Sequence, residues 1–187
     1  MVVGEPPGVG VLASGHGSNL QALIDAGIPI AAVATNVVGA PALARSERIG
    51  IPTAVFALEA YPDRDARDGA MADWLASHGV GLVVCAGYMH LLRPAFLSRF
   101  PQRVVNVHPA LLPAFPGAHA VEEALAAGAT ETGATVHLVD EGIDTGRVLR
   151  QEAVAVLPDD TPESLHTRIQ AVERRLLPEV VRELTAA

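Results

Sequence analysis

Short runs of Val, Leu, Ile and Ala recur along this chain with amphipathic stretches between them, and this alternation constrains the fold more than any other feature. The apolar runs fall at 9–12, 30–33, 53–56, 82–86, 104–107, 134–139 and 148–156, each the length of a strand. Helical spacing predicts helices over 19–26, 41–49, 65–78, 94–99, 120–127 and 162–184. Strands without an alternating polar face must be covered on both sides. The pattern therefore predicts an α/β fold, a mainly parallel, Rossmann-like twisted sheet with helices on both faces. No helix is predicted between 134–139 and 148–156, which points to an antiparallel edge. Residues 1–8 read as a flexible lead-in with neither signal-peptide nor transit-peptide character, and 9–187 as a single domain.

The formal charge is −8, from 13 basic and 21 acidic residues, and no basic stripe is visible. That argues against nucleic acid as the main partner. No apolar run approaches the ~20 residues of a membrane span. Small-molecule substrates and a cytoplasmic setting are the default, and a homodimer stays open. The single cysteine, Cys85, lies in an apolar run and reads as a small buried residue.

In such sheets ligands sit beyond the carboxyl ends of the strands, so chemistry is sought in the polar stretches that follow them. Ser14-Gly15-His16-Gly17-Ser18-Asn19 follows the first strand and opens a helix. Its glycines allow close backbone approach, and helix-start N–H groups attract an anion. The third glycine of a dinucleotide fingerprint is absent, since Leu20 stands there, and the second strand runs into Ala34-Thr35-Asn36 without an acidic residue. A phosphate monoester fits better than a dinucleotide; the plainer alternative is an ordinary turn with a Ser18 or Asn19 cap.

Asn106 and His108 are two apart at the end of an apolar run, so both project from one face of a strand. One offers an amide donor and the other a titratable imidazole. Pro109, Pro113 and Pro116 stiffen the loop that follows. Asp144 lies in Asp140-Glu141-Gly142-Ile143-Asp144-Thr145-Gly146. It reads as a turn residue, or as a carboxylate that packs against His108 and favours the protonated ring. These are parts for acid–base chemistry at a carbonyl, without a covalent nucleophile. In the last helix Leu165, Ile169, Val172, Leu176 and Val180 form an apolar stripe, and Glu173 falls inside it. Either the helix reaches past the core there or Glu173 faces a polar ligand, and Gln170 shares its face. No His-Glu-x-x-His and no Gly-x-Ser-x-Gly is present, so a metal site and a serine hydrolase are weakly supported.

Taken together, these segments resemble the folate-dependent formyltransferases, and among them the phosphoribosylglycinamide formyltransferase family. The carriers are Ser14-Gly15-His16-Gly17-Ser18-Asn19-Leu20-Gln21-Ala22-Leu23-Ile24, Ala86-Gly87-Tyr88-Met89, Asn106-Val107-His108-Pro109-Ala110-Leu111-Leu112-Pro113, and Thr135-Val136-His137 with Asp144-Thr145-Gly146. The resemblance implies formyl transfer from 10-formyltetrahydrofolate, as co-substrate and with no metal, to the amine of N1-(5-phospho-D-ribosyl)glycinamide in purine biosynthesis. It implies Asn106, His108 and Asp144 as catalytic residues. It assigns Gly17, Ser18, Asn19, Gln170 and Glu173 to the ribonucleotide. To the folate it assigns Arg64, Met89, His90, Leu91, Leu92 and Asn106, together with Asp140, Glu141, Gly142, Ile143 and Asp144. It also implies a cis Leu112–Pro113 bond.

The sequence departs from the family pattern at His16, His90, Ala110 and Arg147. Two rivals remain in view. A formyltetrahydrofolate hydrolase would carry a second His where Pro109 stands, and a non-catalytic phosphate- or folate-binding module would not need the Asn106/His108/Asp144 set.

Overall fold

The computed structural model describes residues 7–186, so most of the expected lead-in lies outside the described residues. The strands are β1 (Gly8–Leu12), β2 (Ile30–Thr35), β3 (Thr53–Val55), β4 (Val80–Cys85), β5 (Val104–His108), β6 (Glu131–Leu138) and β7 (Val148–Ala155). The helices are α1 (Ser18–Asp25), α2 (Pro41–Glu47), α3 (Arg64–Ser77), α4 (Pro94–Leu97), α5 (Ala120–Ala126) and α6 (Pro162–Ala186). One sheet takes the strand order β3-β2-β1-β4-β5-β6-β7. Neighbours from β3 through β5 are parallel. β6 and β7 pair antiparallel at the edge. This is the predicted α/β sheet, its antiparallel edge included.

The apolar strands are explained by two cores. Val9, Val11, Leu82, Val84, Val105 and Val107 pack toward Leu20 and Leu23 of α1 and the stripe of α6. Leu12, Val83, Cys85 and Val104 pack on the other side, against Met71 and Leu75 of α3 and Phe96 of α4. Successive residues of β4 thus enter opposite cores, and neither face is left for a polar side chain. Each such Val or Leu contributes roughly 1.5–3 kcal/mol by leaving water. The boundaries differ from the expected ones mostly by one or two residues. β6 begins earlier, at Glu131, because Gly133 sits inside a strand against the backbone of Glu152. A short 3₁₀ turn, Leu58–Ala60, was not predicted.

The strand order reverses between β1 and β4. The loops that leave their carboxyl ends, one toward α1 and one toward α4, therefore part at a crevice, where this class of sheet binds ligands. They are tied together there: Ser14 N–H donates to Gly87 O at 3.0 Å, and Met89 N–H donates to Ser14 Oγ at 3.0 Å.

Candidate active site

Val105 and Val107 of β5 enter the α1/α6 core, so Asn106 and His108 project from the opposite face. The loop after β5 is held by one buried hydroxyl. Thr135 Oγ donates to Ala110 O at 2.6 Å and accepts from Leu112 N–H at 3.1 Å. Gln151 Nε2 donates to Leu112 O at 2.7 Å. Within this loop the Leu112–Pro113 bond is cis, as the resemblance implies.

Asp144 comes from the loop between β6 and β7 and meets both strand residues. Its Oδ2 is 3.3 Å from His108 Nδ1, and Asn106 Nδ2 donates toward its Oδ1 at 3.5 Å. Gly117 N–H donates to Oδ2 at 2.8 Å, which ties the loop after β5 to the same carboxylate. Asp144 adopts φ 53°, in the left-handed region that Asp tolerates better than most residues. Gly146 lets the loop turn back against β6, since a Cβ there would overlap the Leu138 carbonyl. Burial pushes the Asp144 carboxyl upward, but hydrogen bonds from His137 and Gly117, with the charge of His108 and His137, hold it below the ordinary carboxylate value.

His108 Nε2 lies 2.7 Å from Phe115 O. Its other nitrogen faces the carboxylate, and both partners only accept. A ring that donates from both nitrogens satisfies them.

A cavity of about 410 Å³ opens beside these residues. Met89, His90, Leu91 and Leu92 form one wall, and Asp140, Gly142, Ile143 and Asp144 form the other. Asn106, His108 and His137 lie between them. Met89, Leu91 and Ile143 are exposed, an apolar lining with nothing packed over it. Arg64 reaches the rim by donating to Leu91 O at 2.7 Å. Glu141 is exposed on the same loop as Asp144. Cys85 also lines the cavity, but burial pushes its thiol up to about 12, so it is no nucleophile.

The Ser14–Asn19 segment turns into α1 with Gly17 at φ 73°, and a Cβ on Gly17 would lie 3.0 Å from the Ala42 side chain. No side chain caps α1, so its first-turn N–H groups stay available to an anion. The Ser18 or Asn19 cap of the plainer reading is therefore not formed. Instead, Asn19 Nδ2 donates to Glu173 Oε2 at 3.1 Å. Glu173 is buried within the α6 stripe, and burial lifts its pKa against the opposing pull of the Asn19 bond. This resolves its odd placement: the stripe crosses from the core onto the base of the α1 loop. Asn19 Oδ1 is buried with no hydrogen-bond partner. Gln170, one turn earlier, bonds to Arg174 and lies near His166 rather than joining that pair.

Sequence reasoning placed His137 in a family motif but gave it no part in the cluster. It pairs with Asn106 across the β5–β6 ladder, with its Nε2 3.2 Å from Asn106 Nδ2 and 3.4 Å from Asp144 Oδ1. The β6–β7 register shifts beside it, a common irregularity next to sites. Alternation within Thr135-Val136-His137 was the available signal: Thr135 holds the loop and His137, two on, reaches the site. Among the described residues no group of His, Cys, Asp or Glu has an arrangement that would hold a metal ion. None of the described helices is long and apolar enough to cross a membrane.

Residues 9–181 match the formyl transferase family. A phosphoribosylglycinamide formyltransferase of Mycobacterium tuberculosis is 50% identical over 89% of this chain and 80% of its own length. The crystal structure of glycinamide ribonucleotide transformylase 1 from Symbiobacterium toebii superposes with a TM-score of 0.93 at 45% identity, over 96% of this chain and 87% of that one. The phosphoribosylglycinamide formyltransferase of Streptococcus pneumoniae gives a TM-score of 0.91 at 40% identity, over 95% and 98% of the two chains. With a parallel sheet, an anion-ready helix start and a polar cluster in an apolar cleft already established, the match carries through to function: the chain belongs to the formyl transferase family, alongside the phosphoribosylglycinamide formyltransferases.

Proposed function

We propose that the protein transfers the formyl group of 10-formyltetrahydrofolate to the primary amine of N1-(5-phospho-D-ribosyl)glycinamide, in purine biosynthesis. The observation that supports this most is the meeting of Asn106, His108 and Asp144 in a cleft whose wall is hydrogen-bonded to the α1 loop. A folate carries ring systems with polar edges, which suits a cleft whose walls combine apolar Met89, Leu91, Leu92 and Ile143 with the polar Asp140–Asp144 loop. A phosphate suits the uncapped start of α1, with Gly17, Ser18 and Asn19 around it and Glu173 and Gln170 toward the sugar.

In this reading the amine lone pair attacks the formyl carbon, and the carbonyl electrons move onto oxygen. Asn106 Nδ2 donates to that oxyanion, and His108, whose two N–H groups are held by Asp144 and Phe115 O, stabilises it through its charge; loss of one such stabilising group costs about 10²–10³ in turnover. The bond from carbon to the folate nitrogen then breaks. That nitrogen gains a proton as the former amine loses one, with His108, or a water oriented by Asp144, as carrier, a contribution of about 10²–10⁴. Asp144 holds His108 in place, and binding the two substrates side by side supplies proximity. A cytosolic setting suits a chain whose cysteine is free and buried.

The test is an absorbance assay of the folate with purified protein, with and without the ribonucleotide. Folate product should form only when the ribonucleotide is present, with one formylated ribonucleotide per folate released. Folate turnover without ribonucleotide would assign hydrolysis instead, and binding without turnover would assign a carrier.

A further inference from the structure

Arg67 and Asp68 are consecutive residues of α3, both fully buried, and neither enters the chemistry above. A buried ion pair is weak evidence for stability, because well-packed apolar residues of similar size serve as well or better. Its bonds show a more specific use. Arg67 Nε donates to Asp68 Oδ1 at 2.7 Å, and Nη2 lies 2.6 Å from the same oxygen. The second carboxylate oxygen accepts from Arg93 N–H at 2.8 Å. On the other side, Arg67 Nη1 lies 2.8 Å from His90 Nδ1. A guanidinium only donates, so Nδ1 accepts and the ring carries its proton on Nε2.

These bonds grip both ends of the segment that walls the cavity. His90 is held by its side chain and Arg93 by its backbone. Apolar packing does little for this segment: Met89 is 71% exposed and Leu91 47%, and only Leu92 is buried. Its remaining ties are also polar: Arg64 to Leu91 O, Met89 N–H to Ser14 Oγ, Arg93 Nε to Asp65 Oδ1, and a long contact of 3.4 Å between Asn36 Nδ2 and His90 Nε2. A wall that presents uncovered apolar side chains to a ligand must be fixed from behind by something else.

We propose that the Arg67–Asp68 pair is a positioning device that holds the 89–93 wall through His90 and the Arg93 amide, and so sets affinity for the folate substrate. Neither residue touches that substrate. The proposal rests on the reading of this cavity as the formyl-folate site. Burial and the nearby Arg67 and Arg64 keep His90 below its ordinary pKa against the pull of Asp68, in line with a ring that accepts from Arg67.

Two readouts separate the proposal from that reading. The first needs no ligand: amide hydrogen exchange of 88–93 in the free protein. Exchange should quicken about tenfold or more in Arg67→Met and in His90→Leu, while His90→Asn, whose Oδ1 can accept in place of Nδ1, stays near wild type. His90 is exposed, so its variants fold even if Arg67→Met does not. The second is kinetic: KM for 10-formyltetrahydrofolate should rise about tenfold in Arg67→Met, with kcat and the ribonucleotide KM within about twofold, and Arg67→Lys, which keeps one donor toward His90 Nδ1, should recover part of it. Unchanged exchange in His90→Leu overturns the proposal. So does faster exchange with an unchanged folate KM, or a loss of kcat and both KM values together. Faster exchange in a protein that shows no formyl transfer in any form upholds the wall-fixing device and overturns the substrate reading alone.

Discussion

Asp144 Oδ2 lies 3.3 Å from His108 Nδ1, although one residue ends β5 and the other lies in the loop between β6 and β7. The backbone makes this meeting, not sequence proximity. β5 delivers His108 at its carboxyl end, and Gly117 N–H pins the β5 loop to the same carboxylate. The other His108 nitrogen is occupied by Phe115 O, so the ring has one orientation in which both nitrogens are used.

Removing the donors should act on turnover rather than on capture of the ribonucleotide. Asn106→Ala and His108→Ala are each expected to lower kcat by about 10²–10³, because the first deletes an amide donor and the second the ring whose charge faces the formyl oxygen as negative charge develops there. Calorimetry should return a ribonucleotide affinity within a few-fold of wild type for both.

His137 touches Asp144 and Asn106 rather than the cavity centre alone, so its effect should be smaller. His137→Phe keeps the ring's bulk but leaves Asp144 without that hydrogen bond, and about a tenfold loss of kcat is expected. The Asp144 carboxyl should also titrate closer to its ordinary value, readable by NMR.

Gly17→Ala tests the α1 loop. The position sits at φ 73°, and the new methyl would press on Ala42. Destabilisation of about 1–2 kcal/mol is expected from the backbone alone, with weaker binding of inorganic phosphate or ribonucleotide. Thermal melting and calorimetry measure the two effects separately.

The pH dependence follows from two carboxyls that shift in opposite directions. Asp144 is lowered from 3.8, so its contribution to stability is complete above that value and is lost only as pH falls through its lower folded pKa. Loss of activity on mild acidification is then the work of the substrate amine gaining a proton, and protonation of Asp144 comes lower still. Glu173 is raised from 4.5, so its contribution is complete below that value and fades as pH climbs through the folded pKa. Glu173→Gln removes the titration and keeps an acceptor for Asn19. Melting temperature against pH should therefore decline less steeply above 4.5 in the variant than in wild type.

Much of the fold was legible because its strands are buried on both faces and so read as continuous apolar runs, as Leu82, Val83 and Val84 do. Asn106 and His108 were legible for the converse reason: two polar residues on one face at the end of such a run have no place in a core. Asp144 was recognisable from the family motif, but only tertiary structure brings it to His108. Alternation puts His137 on the same face as Thr135, but its meeting with Asn106 is set by the β5–β6 register, which no local pattern encodes. Nothing in the sequence singled out Arg67 and Asp68. Their complete burial depends on what α3 packs beneath, and the sequence carries no trace of it.

The central claim is that a carboxylate at position 144 orients the imidazole of 108 for transfer of a one-carbon unit. Single-turnover transfer by Asp144→Asn, with both substrates bound at saturation, tests it most directly. The account predicts a rate lower by about 10²–10³ with the ribonucleotide still bound as in wild type. A single-turnover rate within a few-fold of wild type would contradict it.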